Sequence, residues 1–366
     1  MAPMCFSLAS LLLLIIITEP STAAPEAQVV VPAMFVFGDS LIDPGNNNRL
    51  VSLARADYAP NGIDFPAGVT GRFCNGGTVA DHLGELLDLP LIPPFNSPTT
   101  KGSQILYGVN YASAAAGILN DTGKLYGDLF SMDKQIQNFE KTLQDLNLQM
   151  GGREAGEFLR RSLFFVAMGS NDYLNNYLHS ASGRSREYTP RAYTQLLIQR
   201  YSRQLKTLYK LGGRKFLIGG LGPLGCMPRQ IRKYSHKKLN SCIHGSNQLA
   251  LLFNRNLKMM LQDLNVNLSA SHFLLWDTYS TSMEVINNFS QYGFRNPLTP
   301  CCGGGWSKGR LLCLPLLPLE CRNRSEFVFW DPYHPTDAFN AIAAKRAFEG
   351  SLQTANPTNV QELIRL

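Results

Sequence analysis

The sequence predicts an α/β fold, a three-layer sandwich in which a central parallel sheet is flanked by helices. Longer stretches with apolar residues at three- and four-residue spacing, such as 191–211 and 247–264, predict the helices. Short apolar runs lie between such stretches, and each is followed at once by glycine or aspartate: 33–37, 162–168, 215–218 and 272–276. Alternation of this kind is typical of buried parallel strands joined by helices.

The composition is that of a globular protein. The chain has 366 residues, of which 45% are hydrophobic and 17% charged, and these fractions exclude a disordered, collagen-like or coiled-coil protein. Length alone would suit two or three domains at about 150 residues each. Because the sequence contains no internal repeat, low-complexity segment or evident linker, we predict one domain over 24–366, with its core at about 33–350.

Polar residues follow each predicted strand. The first two runs, 33–37 (AMFVF) and 162–168 (SLFFVAM), lead into Gly-Asp-Ser and Gly-Ser-Asn-Asp. The next two, 215–218 (KFLI) and 272–276 (HFLLW), lead into Gly-Gly and Asp. Ligands of parallel α/β sheets bind at the carboxyl ends of the strands. The residues after these runs are therefore the first candidates for a functional site.

The N-terminus has the layout of a secretory signal peptide. An apolar run at 9–18 is too short to span a bilayer, which takes about 20 residues. Pro20 and small residues follow it, as in a cleavage region, although no Lys or Arg precedes the run. We predict a signal peptide over 1–23, because cleavage one residue later would place Pro25 at the new N-terminus. A buried N-terminal helix or an uncleaved anchor is the alternative.

Export would explain two other features of the sequence, its glycosylation sequons and its many cysteines. Four sequons predict N-glycosylation in a secreted protein, at Asn120, Asn267, Asn288 and Asn323. Loss of Cys5 with the signal leaves seven cysteines, of which the isolated Cys74 is the predicted free thiol. The other six allow 15 disulfide pairings. A zinc site in the cluster 301–321 is the competing interpretation, but the cluster has no C-x-x-C spacing and no histidine.

Two segments near the first strand are candidates for chemistry. Ser40 follows the strand directly, and a helix starting there would point backbone N–H groups at whatever reacts with the serine. The alternative is that Ser40 is only a helix N-cap. The second segment runs from Gly108 to Gly117 and is rich in small residues, which let a backbone approach a ligand closely. Tight loop packing would explain it equally well.

Two further segments carry side chains suited to acyl transfer. Asn171 follows the second strand, where its amide could donate to a developing oxyanion, unless it only forms an Asx turn. Asp331 and His334 lie three residues apart in a loop that contains two prolines. The carboxylate could hold the imidazole tautomer, leaving the other ring nitrogen free to act as a base toward a serine.

Together and in this order, the four segments resemble the GDSL branch of the SGNH hydrolases, specifically the plant GDSL esterase/lipases. The resemblance covers about 35–347 and includes 215–228 (KFLIGGLGPLGCMP) and a Cys-Cys-Gly at 301–303. It implies a flavodoxin-like sandwich. This sequence departs from the family pattern at Cys74, where serine is usual, and in the Ala-Ala-Ala that precedes Gly117.

The resemblance also implies the site and the reaction. Ser40 would be the nucleophile and Asp331 and His334 the rest of the triad, with the N–H groups of Ser40 and Gly117 and the Asn171 side chain as oxyanion hole. The enzyme would cleave lipid or other small carboxyl esters through an acyl-enzyme, with no metal and no cofactor. An acyltransferase using the same intermediate, and a catalytically silent binding protein of the same fold, are the alternatives. The expected location is extracellular, in the apoplast or cell wall.

The positive charge is concentrated in one stretch. Fourteen Lys and Arg, and no Asp or Glu, lie between Arg191 and Gln262. An anionic cell-wall polysaccharide or a membrane surface would suit such a stretch, and solvated helix faces would explain it as well. Nucleic acid is not an expected partner, because the sequence contains no recognisable nucleic-acid-binding module.

Overall fold

The computed structural model describes residues 1, 31–234, 241–303, 313 and 320–366. Apart from Met1, the predicted signal peptide lies outside these residues. Within the described chain, no helix is both long enough and apolar enough to cross a membrane.

A central sheet of five strands forms the middle layer. Four strands pair in parallel and in chain order, and a short fifth strand pairs antiparallel with the last of them. In that order the strands are β1 (Met34–Gly38), β2 (Leu163–Ala167), β3 (Lys215–Gly219), β4 (His272–Trp276) and β7 (Ala355–Asn356). The four predicted runs are the four parallel strands, so this prediction is confirmed. A separate pair consists of β5 (Asn296–Pro300) and β6 (Phe327–Phe329).

Helices flank the sheet in two groups, as the α/β prediction requires. One group contains α2 (Met132–Met150), α3 (Gly152–Arg161), α5 (Pro190–Lys210) and α7 (His244–Asn267). The other contains α1 (Val79–Leu86), α8 (Thr278–Asn287), α9 (Asp337–Glu349) and α10 (Val360–Leu363). The remaining short helices are α4 (Arg184–Glu187) and α6 (Pro228–Tyr234). The stretches predicted as helical, 191–211 and 247–264, correspond to α5 and α7.

A row of phenylalanines across the sheet fixes its register. Phe35, Phe164, Phe216 and Phe273 are direct partners on successive strands, and adjacent ring centroids lie 5.3, 5.3 and 4.3 Å apart. All four side chains are buried. Because side chains alternate between the two faces of a strand, a slip of one residue would move every ring to the opposite face.

A fifth parallel segment lies beside β1 and completes the predicted flavodoxin-like order. The Tyr111 N–H donates to the Val36 carbonyl at 2.7 Å, and the Ser113 N–H to the Gly38 carbonyl at 3.0 Å. Counting this segment, 109–113, the spatial order of strands along the chain is 2-1-3-4-5. In such sheets the ligand site lies where the order reverses. Here that point lies between the carboxyl ends of β1 and β2.

The six cysteines predicted to pair form three disulfides, Cys226–Cys242, Cys301–Cys321 and Cys302–Cys313. Cys74 is the free cysteine among the described residues and is buried, as predicted. The four cysteines of the cluster 301–321 are therefore oxidised and cannot serve as thiolate ligands, so the zinc alternative is wrong.

An ion pair connects α1 to the start of α9. The His82 Nε2 lies 3.0 Å from an Asp337 carboxylate oxygen, which also accepts the Gly77 N–H at 2.7 Å. Burial alone would lower the pKa of His82, but the hydrogen bond and charge of Asp337 outweigh it and raise this pKa above its ordinary value. The charged imidazole therefore stabilises the folded protein.

We expect this contribution to depend on pH. A pKa raised by folding adds stability that is complete below the unfolded value of about 6.5 and disappears as the pH rises through the folded value. His82→Gln keeps a donor for Asp337 and removes the charge, so it should lower the free energy of unfolding by about 1 kcal/mol more at low pH than at high pH. Urea unfolding at pH 5.5 and 9 measures this difference.

The exposed His272, for which no ion pair is found in the described part of the chain, provides the control. His272→Gln should leave the pH dependence of stability unchanged. An equal loss for His82→Gln at both pH values would contradict a charged His82.

Candidate active site

Ser40 lies in a tight turn directly after β1. The Ile42 N–H donates to the Asp39 carbonyl at 3.2 Å. The prediction that a helix starts at Ser40 is wrong. The next helical segment is a single 3₁₀ turn, Asn46–Arg49, because Pro44 restricts the backbone and Gly45 has a φ of 128°. The Ser40 hydroxyl is also not an N-cap, since its partner is the imidazole described next.

Asp331 and His334 lie in the loop between β6 and α9, and this loop brings the imidazole to Ser40. His334 Nε2 is 2.8 Å from Ser40 Oγ, and its Nδ1 is 2.7 Å from an Asp331 carboxylate oxygen. The other Asp331 oxygen accepts the Tyr333 and His334 N–H groups, each at 2.8 Å. A carboxylate accepts only, so Nδ1 carries the proton and Nε2 is free to accept the proton of Ser40.

The disulfide-rich segment holds this loop in place. The Cys301 N–H donates to the Phe329 carbonyl at 2.9 Å and the Cys302 N–H to the Trp330 carbonyl at 2.6 Å. The buried Trp330 indole donates to the Asn61 side chain at 2.9 Å. The backbones of two oxidised cysteines are thus hydrogen-bonded to the two residues immediately before Asp331.

Asn171 follows β2 and enters the same cleft. Its amide nitrogen donates to the Ala116 carbonyl at 3.0 Å and lies 3.4 Å from an Asp39 carboxylate oxygen. Its amide oxygen accepts from Asn175 at 2.9 Å, which fixes which end of the amide is the donor. One amide hydrogen donates to the Ala116 carbonyl, and the other is directed toward the Asp39 carboxylate. A single π-helical turn, Asp172–Tyr177, begins directly after Asn171.

The expectation for Gly117 is not supported by its surroundings. A Cβ at this position would lie 2.4 Å from a Thr122 methyl and 2.6 Å from an Asp172 carboxylate oxygen. Asp172 accepts the Ile118 and Leu119 N–H groups at 2.8 and 3.0 Å. Gly117 is therefore required by close packing against these side chains, and it is not among the residues that line the cleft with Ser40.

Ala115, two residues before Gly117, is in the cleft with Ser40. Its φ of 64° is in the left-handed region that favours glycine. Within the described part of the chain, neither its N–H nor that of Ser40 donates to an acceptor. An alanine does not signal this conformation in a sequence, and the three consecutive alanines were the one indication that the segment is unusual.

Three buried carboxyl groups surround the site, those of Asp39, Asp43 and Asp172. Burial raises the pKa of each to about 6, although hydrogen bonds from backbone N–H groups oppose the shift. For Asp39, the positive charge that His334 acquires also lowers the pKa. Charge on His334 therefore favours the ionised form of a carboxyl group close to Asn171.

Ser40, Ala115, Asn171 and His334 line one cleft, which we call the Ser40 cleft. Apolar side chains complete it: Leu53, Phe73, Leu174, Met227 and Tyr333. The Phe73 ring lies 5.0 Å from the imidazole centroid. Among the described residues, no group of three or more His, Cys, Asp or Glu side chains is arranged to hold a metal ion. The arrangement can activate a hydroxyl and stabilise a negatively charged oxygen beside it.

The predicted glycosylation sites lie outside this cleft. All four asparagines are exposed: Asn120, Asn267, Asn288 and Asn323. Of the basic stretch, Lys237 and Lys238 lie outside the described residues. Glycosylation and an anionic partner both stay predictions.

Comparison with known proteins gives the family. A family model described as GDSL-like Lipase/Acylhydrolase matches residues 34–347. The GDSL esterase/lipase At1g71691 of Arabidopsis thaliana is 46% identical over 361 residues, covering 96% of this chain and 92% of the relative. The GDSL esterase/lipase At1g71250 of the same plant is 44% identical over 353 residues, covering 96% and 93%. The match includes the four segments that carry the resemblance, so the resemblance is confirmed, and the chain belongs to the GDSL-like lipase/acylhydrolase family.

Proposed function

We propose that the protein is a secreted carboxylic-ester hydrolase in which Ser40, His334 and Asp331 form the catalytic triad. One observation carries the proposal. The two hydrogen-bond contacts of His334, at 2.8 Å to Ser40 and 2.7 Å to Asp331, align a hydroxyl, an imidazole and a carboxylate. Membership of a family of lipases and acylhydrolases supports an ester as the substrate.

The reaction has two halves. In the first, His334 Nε2 takes the proton of Ser40 as Oγ bonds to the ester carbonyl carbon, and the bond to the alcohol oxygen then breaks. His334 returns the proton to that oxygen, so the alcohol leaves and an acyl-enzyme remains. In the second half, water replaces the alcohol and Ser40 Oγ is the leaving group. Asp331 keeps Nδ1 protonated and stabilises the imidazolium that forms in each half.

The proposed oxyanion hole consists of the Ser40 N–H, the Ala115 N–H and the Asn171 amide. Both backbone groups border the Ser40 cleft and donate to no acceptor among the described residues. The hydrogen bonds of Asn171 to Ala116 and from Asn175 hold its amide before a substrate arrives. Preorganised donors of this kind each contribute on the order of 10²–10³ in turnover.

The acyltransferase and binding-protein alternatives use the same cleft. An acceptor alcohol in place of water would make the enzyme an acyltransferase, with every earlier step unchanged. A silent binding protein would not need the two short contacts of His334, and for this reason we favour the enzyme. The substrate class is a small-molecule or lipid ester.

Secretion is part of the proposal. It rests on the N-terminal layout, on three disulfides, which form in oxidising compartments, and on four exposed sequons. An extracellular site in the cell wall or apoplast suits all three features.

We expect Ser40→Ala to abolish ester hydrolysis, because it removes the oxygen that forms the acyl bond in the proposed reaction. A fluorophosphonate probe should label the wild type at Ser40 and leave the variant unlabelled. The exposed Ser103→Ala provides the matched control and should retain labelling and p-nitrophenyl acetate hydrolysis. A folded wild type that neither hydrolyses this ester nor reacts with the probe would favour the binding protein.

We expect Ala115→Gly to preserve activity, because glycine presents the same N–H in the same left-handed conformation. The ester kcat should stay within about threefold of wild type, and the free energy of unfolding should not fall, since relief of the left-handed strain offsets the added chain entropy. The adjacent Ala114 has no positive φ, so Ala114→Gly should lower stability by about 1 kcal/mol. Equal destabilisation by both changes would contradict the assigned conformation.

We expect expression in a eukaryotic secretory host to give a mature protein that begins at Ala24. Mass spectrometry should also show N-glycans on one or more of the four sequons, removable by an amidase specific for N-glycans. Recovered protein that still carries residues 1–23 would contradict cleavage. Protein that is retained inside the cell would contradict export.

A further inference from the structure

A second cavity lies behind the Ser40 cleft, between the sheet and the helices α8 and α9. We call it the inner cavity. Its volume is about 110 Å³, and its walls are largely apolar. It shares five lining residues with the Ser40 cleft: Asp39, Leu41, Ser170, Met227 and Tyr333. One layer of side chains therefore separates the two spaces, and this layer includes Leu41 and Met227.

Two residues that line the inner cavity each carry a buried polar atom without a partner. The Trp276 indole N–H and the Asn340 amide oxygen make no hydrogen bond with any described residue. Trp276 is 5% exposed and Asn340 1% exposed. The Asn340 amide nitrogen donates to the Gly77 carbonyl at 2.9 Å, which orients its oxygen as the free end. Buried polar groups are rarely left unpaired in native proteins.

Two threonine side chains of the inner cavity have hydrogen-bond partners. The Thr278 hydroxyl donates to the Gly220 carbonyl at 2.7 Å, and the Thr281 hydroxyl to the Asp277 carbonyl at 2.8 Å. The two unpartnered atoms are one donor, the indole N–H, and one acceptor, the amide oxygen. A hydroxyl group can accept from the first and donate to the second.

The position of the inner cavity indicates which part of the ester it holds. Asp39 and Leu41, the two neighbours of Ser40, line it, whereas His334 lines only the Ser40 cleft. The leaving alcohol must stay beside His334, which protonates it. The inner cavity is then left for the acyl chain.

We propose that the inner cavity binds the acyl chain of the substrate and that Trp276 and Asn340 recognise a hydroxyl group on that chain. The inference rests on the proposed ester hydrolysis at Ser40 and names its substrate class, an ester of a hydroxylated aliphatic acid. A cavity of roughly 150 Å³ holds a six-carbon ring in another protein, so about 110 Å³ suits an alkyl segment of about four to five carbons before the hydroxyl.

The test compares p-nitrophenyl esters on the mature, full-length protein. Acetate measures the basal reaction, and hexanoate and octanoate are compared with their ω-hydroxy derivatives. At least one hydroxylated ester should exceed its unsubstituted parent in kcat/KM by about five- to tenfold, the gain expected for a buried hydrogen bond.

Trp276→Phe removes the indole N–H and retains an aromatic ring. It should abolish the preference for the hydroxylated ester and leave acetate hydrolysis within about twofold of wild type. Tyr201→Phe is the matched control, because the Tyr201 hydroxyl is also buried and unpartnered among the described residues but does not line the inner cavity. This control should retain the preference.

A second pair of variants tests the cavity without changing a polar group. Ala343 lines the inner cavity and its neighbour Ala344 does not, although both are buried on α9. Ala343→Leu should reduce kcat/KM for the six- and eight-carbon esters about tenfold relative to acetate, and Ala344→Leu should leave that ratio unchanged.

The outcomes separate the two proposals. If acetate is not hydrolysed, the proposed function fails, and the inference fails with it. If acetate is hydrolysed but hydroxylated and unsubstituted esters react equally, solvent alone satisfies Trp276 and Asn340, and only the inference is overturned. Unchanged selectivity in both Trp276→Phe and Ala343→Leu would also overturn it.

Discussion

The carboxylate of Asp331 is the group on which the active-site loop depends. One of its oxygens accepts two backbone N–H groups of the loop, and the other holds His334 Nδ1. The same side chain therefore closes the turn and selects the imidazole tautomer. Ser40 and His334 are 294 residues apart in the sequence, so their contact depends on how this loop is closed. The bonds from Cys301 and Cys302 to Phe329 and Trp330 hold the loop from the other side.

The central sheet positions the remaining residues of the candidate active site. The phenylalanine row fixes the register of the four parallel strands, and that register places the residues after β1 and β2 side by side. Ser40 and Asn171 line one cleft because they follow these two neighbouring strands. The segment 109–113 lies on the outer side of β1 and reverses the strand order there. The loop carrying Ala115 follows that segment directly. The proposed nucleophile and the proposed oxyanion donors thus come from three neighbouring carboxyl ends of one sheet.

Much of this arrangement could be predicted from the residues. Buried parallel strands are continuous apolar runs, so all four were found, and residues that follow two of them line the Ser40 cleft. The turn at Ser40 could not be predicted, because it is closed by hydrogen bonds from Leu41 and Ile42 to Asp39, and no sequence pattern marks it. The oxyanion role of Gly117 was implied by the family resemblance, whereas in the structure this glycine packs closely against Asp172 and Thr122. The left-handed conformation of Ala115 is imposed by its surroundings and has no signature in an alanine.

The disulfide pairing and the inner cavity could not be predicted from the sequence for a different reason. Six cysteines allow 15 pairings, and only the folded chain selects among them. The unpartnered atoms of Trp276 and Asn340 lie on β4 and α9, in segments whose sequences carry no motif. These two residues are brought together only by the cavity that both of them line, and a local sequence pattern cannot predict such a cavity.

The formation of an acyl-enzyme on Ser40 is the central claim, and trapping that intermediate tests it most directly. Wild-type protein mixed with excess p-nitrophenyl hexanoate and quenched in acid within the first turnovers should gain the mass of one hexanoyl group. Peptide mapping should place this group on Ser40. Continued release of p-nitrophenol with no covalent adduct, or an adduct on another side chain, would contradict the account.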